Sequence, residues 1–255
     1  MKLQGNTILI TGGSGGIGLA FAKKFAADGN EVIITGRNPE KLAAAAKETP
    51  ALQTIRSDAG DPKAIGKLAA EVKQKYPKLN VLFNNAGIMT FRNLALPEDF
   101  AALTSEIAIN LAGPIGLVSA FVEHLVANKG TIINVSSGLA FVPLPAAPVY
   151  CATKAAMHSY TISLRTQLAP HGVEVIELMP PAVKTDLAAL PEEGVKVITT
   201  DELVAATMKS LAKGRLEIRP GQANQLRFMN RVAPGFIQGQ LAKGSKGLIP
   251  AAAGR

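Results

Sequence analysis

Seven short apolar runs rich in β-branched residues punctuate this chain, at Thr7–Thr11, Glu31–Thr35, Leu52–Arg56, Val81–Asn84, Thr131–Ser136, Glu174–Met179 and Leu216–Arg219. Between them lie longer Ala/Lys/Glu-rich stretches with helical spacing: Ile17–Ala27, Lys41–Glu48, Pro62–Tyr76, Asn110–Asn128, Val149–Leu168 and Asp201–Lys213. This alternation constrains the fold more than any other feature. A strand that joins a parallel neighbour needs a crossover, a helix supplies it, and the crossover is right-handed. The pattern predicts an α/β, Rossmann-type fold: a doubly wound, mainly parallel seven-stranded sheet with helices on both faces. Ligands would bind beyond the carboxyl ends of the strands.

A chain of 255 residues, 47% of them apolar, can bury such a core. No repeat or linker-like run divides residues 1–255, so a single domain is expected. Gly235–Arg255, with Gly239, Gly244, Gly247, Pro250 and three alanines, reads as an irregular C-terminal extension. One cysteine, Cys151, cannot form an internal disulfide, which favours a reducing, cytoplasmic setting. Asn6–Ile10 is too short for a signal-peptide core, and no uninterrupted apolar run approaches membrane-spanning length. The net charge of +8 is confined to the tail: Met1–Ala206 carries 18 basic and 18 acidic residues, whereas Thr207–Arg255 carries 9 basic residues and Glu217 alone. No aromatic series accompanies those charges, so a solvated basic edge is expected rather than a nucleic-acid site. His124, His158 and His171 lack metal-ligand spacing, and no metal is expected.

Directly after the first run comes Thr11-Gly12-Gly13-Ser14-Gly15-Gly16-Ile17-Gly18, leading straight into a helical pattern. Glycines let a backbone turn tightly against a pyrophosphate, and the helix offers unpaired N–H groups and the positive end of its dipole. A merely flexible loop would use the same residues. The Gly-Lys-Ser/Thr of a Walker-type loop is absent. The second run ends Thr35-Gly36-Arg37-Asn38. An acid there would hold a ribose 2′-hydroxyl, whereas Arg37 offers a planar cation suited to a 2′-phosphate. Further on, Tyr150 and Lys154 stand four apart on one helix face. An ammonium beside a phenol favours phenolate and lowers a pKa that is ordinarily about 10. Many amphipathic helices carry such a pair by chance, so context decides.

That context is ordered. Thr-Gly-x-x-x-Gly-x-Gly after the first strand, Asn84-Asn85-Ala86-Gly87 after the fourth, Ser137 at the end of the fifth and Tyr150-x-x-x-Lys154 together resemble the short-chain dehydrogenase/reductase family from about Thr7 to Thr185. The resemblance implies an oxidoreductase that interconverts a carbonyl and an alcohol by hydride transfer, with Tyr150 as acid/base. It implies cofactor contacts from Gly12, Ser14, Gly16, Ile17 and Gly18, from Asp58 on the adenine side, from Asn85, Ala86 and Gly87, and from Tyr150 and Lys154. Ser137, rather than Ser136, would hydrogen-bond the substrate oxygen. Lys154 would also hold the nicotinamide ribose, and Asn110 would position Lys154 through water. Met179-Pro180-Pro181-Ala182-Val183-Lys184-Thr185 resembles the family's Pro-Gly-x-Val-x-Thr segment, which makes Pro180, Val183 and Thr185 candidates for the nicotinamide side. Pro181 stands where glycine is usual, fixing φ and removing an N–H. This variant resembles a bacterial subgroup labelled DltE-like oxidoreductases. Arg37 points to NADP(H) over NAD(H).

Met89, Phe91, Leu139, Phe141, Val142, Leu144 and Leu187 are candidate walls for a hydrophobic carbonyl or alcohol substrate, with Asp186–Thr200 as a lid around Pro191 and Gly194. Surplus apolar positions on the helices Asn110–Asn128 and Val149–Leu168, including Leu117, Phe121, Met157, Tyr160 and Leu164, suggest a homodimer or homotetramer. Two other readings compete: a catalytically silent NADP(H) sensor, and a nucleic-acid or membrane-surface module built on the basic tail.

Overall fold

The computed structural model describes residues 1–187 and 197–251. Strands β1 (Thr7–Thr11), β2 (Glu31–Gly36), β3 (Leu52–Arg56), β4 (Leu79–Asn84), β5 (Thr131–Val135), β6 (Glu174–Leu178) and β7 (Glu217–Ile218) form one sheet in the order β3-β2-β1-β4-β5-β6-β7. Every pairing is parallel. Strand order reverses at β1, which lies between β2 and β4, and this opens a crevice beyond their carboxyl ends.

The strands alternate their side chains between two helical layers, as the two-residue period of a strand requires. Ile8, Ile10, Val32, Ile34, Val81 and Phe83 face α1 (Gly16–Ala27), α2 (Pro39–Glu48) and α7 (Thr200–Leu211). Leu9, Ile33, Leu82 and Ile132 face α3 (Pro62–Lys75), α5 (Gly113–Ala127) and α6 (Pro148–Leu168). Local chemistry fixes the helix starts. Asn38 and Asp61 accept from the backbone N–H groups of Lys41 and Lys63, each just ahead of a first-turn proline, and Thr199 with Glu202 forms a reciprocal capping box.

The helix expected over Asn110–Asn128 begins instead with a π-helical turn, Ala108–Ala112, which joins α5 to α4 (Phe100–Ile107). The result is a 28-residue helical stretch, Phe100–Ala127, long and apolar enough by composition to cross a membrane, although Glu106, Asn110, Glu123 and His124 interrupt it. It is no clear transmembrane span, because Leu117, Val118, Phe121 and Leu125 are buried against the sheet and the wholly buried Glu106 pairs with Arg92. The same burial corrects the choice of intersubunit residues: Leu117, Phe121, Met157 and Leu164 are enclosed by their own chain. Of that set only Tyr160 is partly exposed.

The tail also differs. Gln222–Val232 forms α8, and Pro234–Ser245, placed in the irregular extension by its glycines, forms α9. Pro234 sits in the first turn, where its preset φ suits a helix, and half-buried Ile237 and Leu241 at i, i+4 give the helix a packed face. The basic residues divide between two poles. Helix α7 runs antiparallel to the strands, so Lys209, Lys213 and Arg215 lie towards their amino ends, whereas Arg227, Arg231 and Lys243 follow the carboxyl end of β7.

Phe83 is wholly buried, its ring centroid 5.0 Å from that of Phe21 and 6.3 Å from that of Phe25. Phe83→Ala is expected to cost about 3–5 kcal/mol. Urea unfolding would show this as a lower midpoint at unchanged slope.

Candidate active site

Backbone contacts build the crevice floor. Gly12 has φ +65°, and a β-carbon on Gly18 would lie 2.4 Å from the Gly12 carbonyl oxygen, so only glycines allow α1 to sit this close to the turn. The amide of Asn85 donates to the carbonyls of Thr11 (2.9 Å) and Gly12 (3.2 Å), and the backbone N–H groups of Asn85 and Ala86 both donate to the Thr11 hydroxyl. These bonds lock the end of β4 to the end of β1. Helix α1 starts at Gly15 without a side-chain cap, which leaves the N–H groups of its first turn, Gly16, Ile17 and Gly18, open to an anion. Thr185 reaches the same point: a β-carbon on Gly16 would be 3.4 Å from its methyl. Such a cradle of glycines and free N–H groups suits a dinucleotide pyrophosphate.

At the β2 end, Arg37 is exposed, and its carbonyl accepts from Arg56 Nε at 3.3 Å. Arg56 is thus a second cation at this corner, overlooked because it reads as the last residue of a strand. Ser14 Oγ would be only 2.8 Å from a β-carbon on Gly36. Asp58 lies just beyond β3 at the same end of the sheet, its carboxylate accepting from Gly60 N–H at 2.8 Å.

The chemical end collects residues from four elements. Tyr150 and Lys154 lie on α6, with Lys154 Nζ 5.5 Å from the Tyr150 ring centroid and donating to the Val135 carbonyl at 2.9 Å. Ser137 follows β5, its hydroxyl close enough to the Tyr150 phenol to favour the phenolate. Asn110, in the π-helical turn, accepts from Ile88 N–H and donates to the Ile88 carbonyl, both at 2.8 Å, and donates to Thr153 Oγ at 3.2 Å. Thr153 in turn donates to the Tyr150 carbonyl at 2.7 Å. A β-carbon on Gly87 would be 3.3 Å from Asn110 Oδ1 and 3.6 Å from Lys154 Nζ, so these groups surround one small space. Ser136 is committed elsewhere: its hydroxyl donates to the wholly buried Glu177, which His158 Nδ1 also meets at 2.8 Å.

Burial dominates the electrostatics. It pushes the Tyr150 phenol up to about 12, against a smaller downward pull from the Ser137 hydrogen bond, and pulls the Lys154 ammonium down to about 8. In the protein alone, then, burial outweighs the lowering that the Lys154 spacing suggested. Burial likewise pushes the Cys151 thiol up to about 11, and that sulfur accepts from Leu144 N–H, as befits a packed thiol.

Pro180 accepts from Gly138 N–H at 3.0 Å, and Val183 bridges to Ile198, which brings the segment after β6 beside Ser137. Of the expected walls, Met89, Phe91, Leu139 and Leu144 pack with Ala146, Ala147 and Tyr150. Phe141 turns away, edge-on to His158 and beneath Arg227. Val142 is wholly buried and Leu187 is exposed. Pro191 and Gly194, at the middle of the expected lid, lie outside the described residues. Two wall residues escaped the sequence reading: Leu248 and Ile249 fold back onto the Tyr150 cluster, and Asn93 donates to the Pro250 carbonyl. So did the clamp behind the wall, in which Glu106 pairs with Arg92 and accepts from Thr90 N–H. Separation in sequence hid both.

Lys154 titrates near 10.5 when unfolded and near 8 when folded, so between those values the unfolded chain binds more protons and stability rises with pH. Tyr150 acts oppositely at higher pH, between 10 and about 12. From about pH 8 to about pH 10, Lys154→Met should therefore remove part of the wild-type rise. Urea midpoints of the cofactor-free wild type and variant across that window would reveal the difference.

Comparison with known proteins places this geometry in a family. The short chain dehydrogenase family model matches residues 6–196. The uncharacterized oxidoreductase DltE of Bacillus subtilis (strain 168) is 41% identical over 91% of this chain and 94% of its own length. The NADPH-dependent 1-acyldihydroxyacetone phosphate reductase of Schizosaccharomyces pombe is 36% identical over 72% of this chain and 62% of its own length. A short chain dehydrogenase from Burkholderia cenocepacia J2315, solved in complex with NADP, superposes with a TM-score of 0.83 at 26% identity, covering 94% of this chain and 99% of that one. The chain belongs to the short-chain dehydrogenase/reductase family and is an oxidoreductase of that family.

Proposed function

We propose that this enzyme reduces a hydrophobic carbonyl compound, or oxidises the matching alcohol, with NADP(H) as cofactor and Tyr150 as the acid/base. The convergence of Tyr150, Ser137 and Lys154 on the space beside Gly87, at the carboxyl end of the sheet, carries this reading. When bound, NADP(H) would supply the hydride for reduction, and its oxidised form would accept one in oxidation. Tyr150 hands its phenolic proton to the substrate oxygen as charge develops there, and Ser137 hydrogen-bonds the same oxygen. The phenol, ordinarily near 10 and raised by burial to about 12, is protonated at neutral pH, the form that reduction consumes. Lys154, beside both Tyr150 and Gly87, returns positive charge to the phenolate left behind and can hold a ribose hydroxyl. Asn110 secures the helix turn facing Lys154. The apolar wall of Met89, Phe91, Leu144, Leu248 and Ile249 supports a substrate with hydrocarbon bulk. A homodimer or homotetramer remains part of this reading, with exposed Ile115 and Ile162 as contact residues on α5 and α6.

The preference for NADP(H) is read from the β2 corner. Arg37 and the neighbouring Arg56 offer charge for a 2′-phosphate, and an acid at position 36 would crowd Ser14 Oγ. Hydrogen bonds to charged groups contribute about 1.5–3 kcal/mol each. Arg37→Ala should therefore weaken NADPH binding about ten- to hundredfold and NADH binding much less. Fluorescence titration of both nucleotides at one ionic strength tests this; equal wild-type affinities, unchanged in the variant, would reassign Arg37 to the surface.

Tyr150→Phe removes only the acid/base oxygen. With a ketone or quinone that the wild type demonstrably turns over, the variant should lose most of kcat and keep its NADPH affinity. Near-wild-type turnover would refute the proton-transfer role.

A further inference from the structure

The tail helices present an outward face that the catalytic reading does not use. On α8, Phe228, Arg231 and Val232 are exposed and stand three and four residues apart, hence on one side of the helix. On α9, Phe236, Gly239, Gln240 and Lys243 repeat the same spacing and are also exposed. Phe228 is 63% exposed, Val232 58% and Phe236 59%, which puts three of the largest exposed apolar side chains in one short stretch of chain. Isolated exposed apolar residues need no explanation, but a run of them on consecutive helices marks an interaction surface. Beside Phe228 lies a shallow depression of about 430 Å³ lined by Asn224, Gln225, Phe228 and Met229.

The charges around this face are of one sign. No Asp or Glu follows Glu217 in the sequence. Glu217 itself is already engaged by Arg165, Arg219 and Arg227. Among the described residues, Arg231, Lys243 and Lys246 are exposed and make no ion pair. A second copy docking here through a two-fold axis would oppose like charges with no acid to separate them. An anionic bilayer removes that conflict: its headgroups take the cations and its interface takes the phenylalanines and the valine.

We infer that the outer face of α8 and α9 is a docking surface for membranes rich in anionic phospholipid, with Phe228, Val232 and Phe236 entering the interface and Arg231, Lys243 and Lys246 meeting the headgroups. The inner side of the same elements touches the reaction centre. Ala223 and Leu226 of α8 crowd Gly138, next to Ser137, where a β-carbon would be 3.2 Å from Ala223 and 3.3 Å from Leu226. Beyond α9, Leu248 and Ile249 pack on the Tyr150 cluster.

The inference is tested with the full-length chain and vesicles, independently of turnover. Sedimentation with vesicles of mixed phosphatidylglycerol and phosphatidylcholine should capture the wild type, whereas phosphatidylcholine vesicles alone should not. Phe228→Ser with Phe236→Ser, and separately Arg231→Glu with Lys243→Glu and Lys246→Glu, should each lower partitioning about tenfold or more, with circular dichroism and NADPH affinity unchanged. Failure of the wild type to bind anionic vesicles overturns the proposal. So does loss of binding in the charge variant alone, which would mean adsorption without insertion. Self-association of the wild type that the phenylalanine variant abolishes, without vesicle binding, would assign the face to a second copy.

Discussion

The close backbone approach of Gly18 to the carbonyl of Gly12 is the constraint on which the site depends. It seats α1 directly on the end of β1, so the helix dipole and its free N–H groups aim at the point where the strand order reverses. Asn85 and Thr11 then fasten β4 to the same point. With the floor fixed, β5 and α6 need only lie beside β4 for Ser137, Tyr150 and Lys154 to face whatever the cradle holds. A side chain at either glycine would push the helix outward and misalign every contact downstream.

Burial sets the chemistry in this frame. Two groups that would exchange protons readily in water, a phenol and an ammonium, are enclosed so fully that each is driven towards its neutral form. The surrounding hydrogen bonds are mostly to backbone: Lys154 to Val135, Asn110 to Ile88, Thr153 to Tyr150. Backbone partners hold position without adding charge. The electrostatic balance is thus left to be changed by what binds there.

The sheet was legible in the sequence because its strands are short apolar runs between helical stretches, and the inner strands β1, β4 and β5 are buried almost throughout, whereas the edge strand β3 exposes Gln53, Thr54 and Arg56. The glycine turn, the Asn-Asn-Ala-Gly segment and the Ser-Tyr-Lys set were legible because they are local in sequence and ordered along the chain. Three kinds of feature were hidden. Glu106 with Arg92 and Glu177 with His158 pair across distances that no spacing rule covers. The π-helical turn carries Asn110, whose side chain bonds both backbone groups of the distant Ile88, and propensity records neither the turn nor those bonds. Helix α9 was masked by its glycines, whose entropic cost is outweighed by packing and by the proline at its start.

The shape of β7 bears on how the chain survives at high concentration. A sheet edge offers unpaired backbone groups on which another chain can polymerise, and an open parallel sheet has two such edges. On one side the sheet stops at a strand of two residues, Glu217–Ile218, whose acid is gripped by the Arg165, Arg219 and Arg227 side chains. That strand is too short to template a long partner strand. This flank of the sheet therefore offers an incoming strand little backbone on which to pair, while the crevice at the carboxyl ends of the strands stays open.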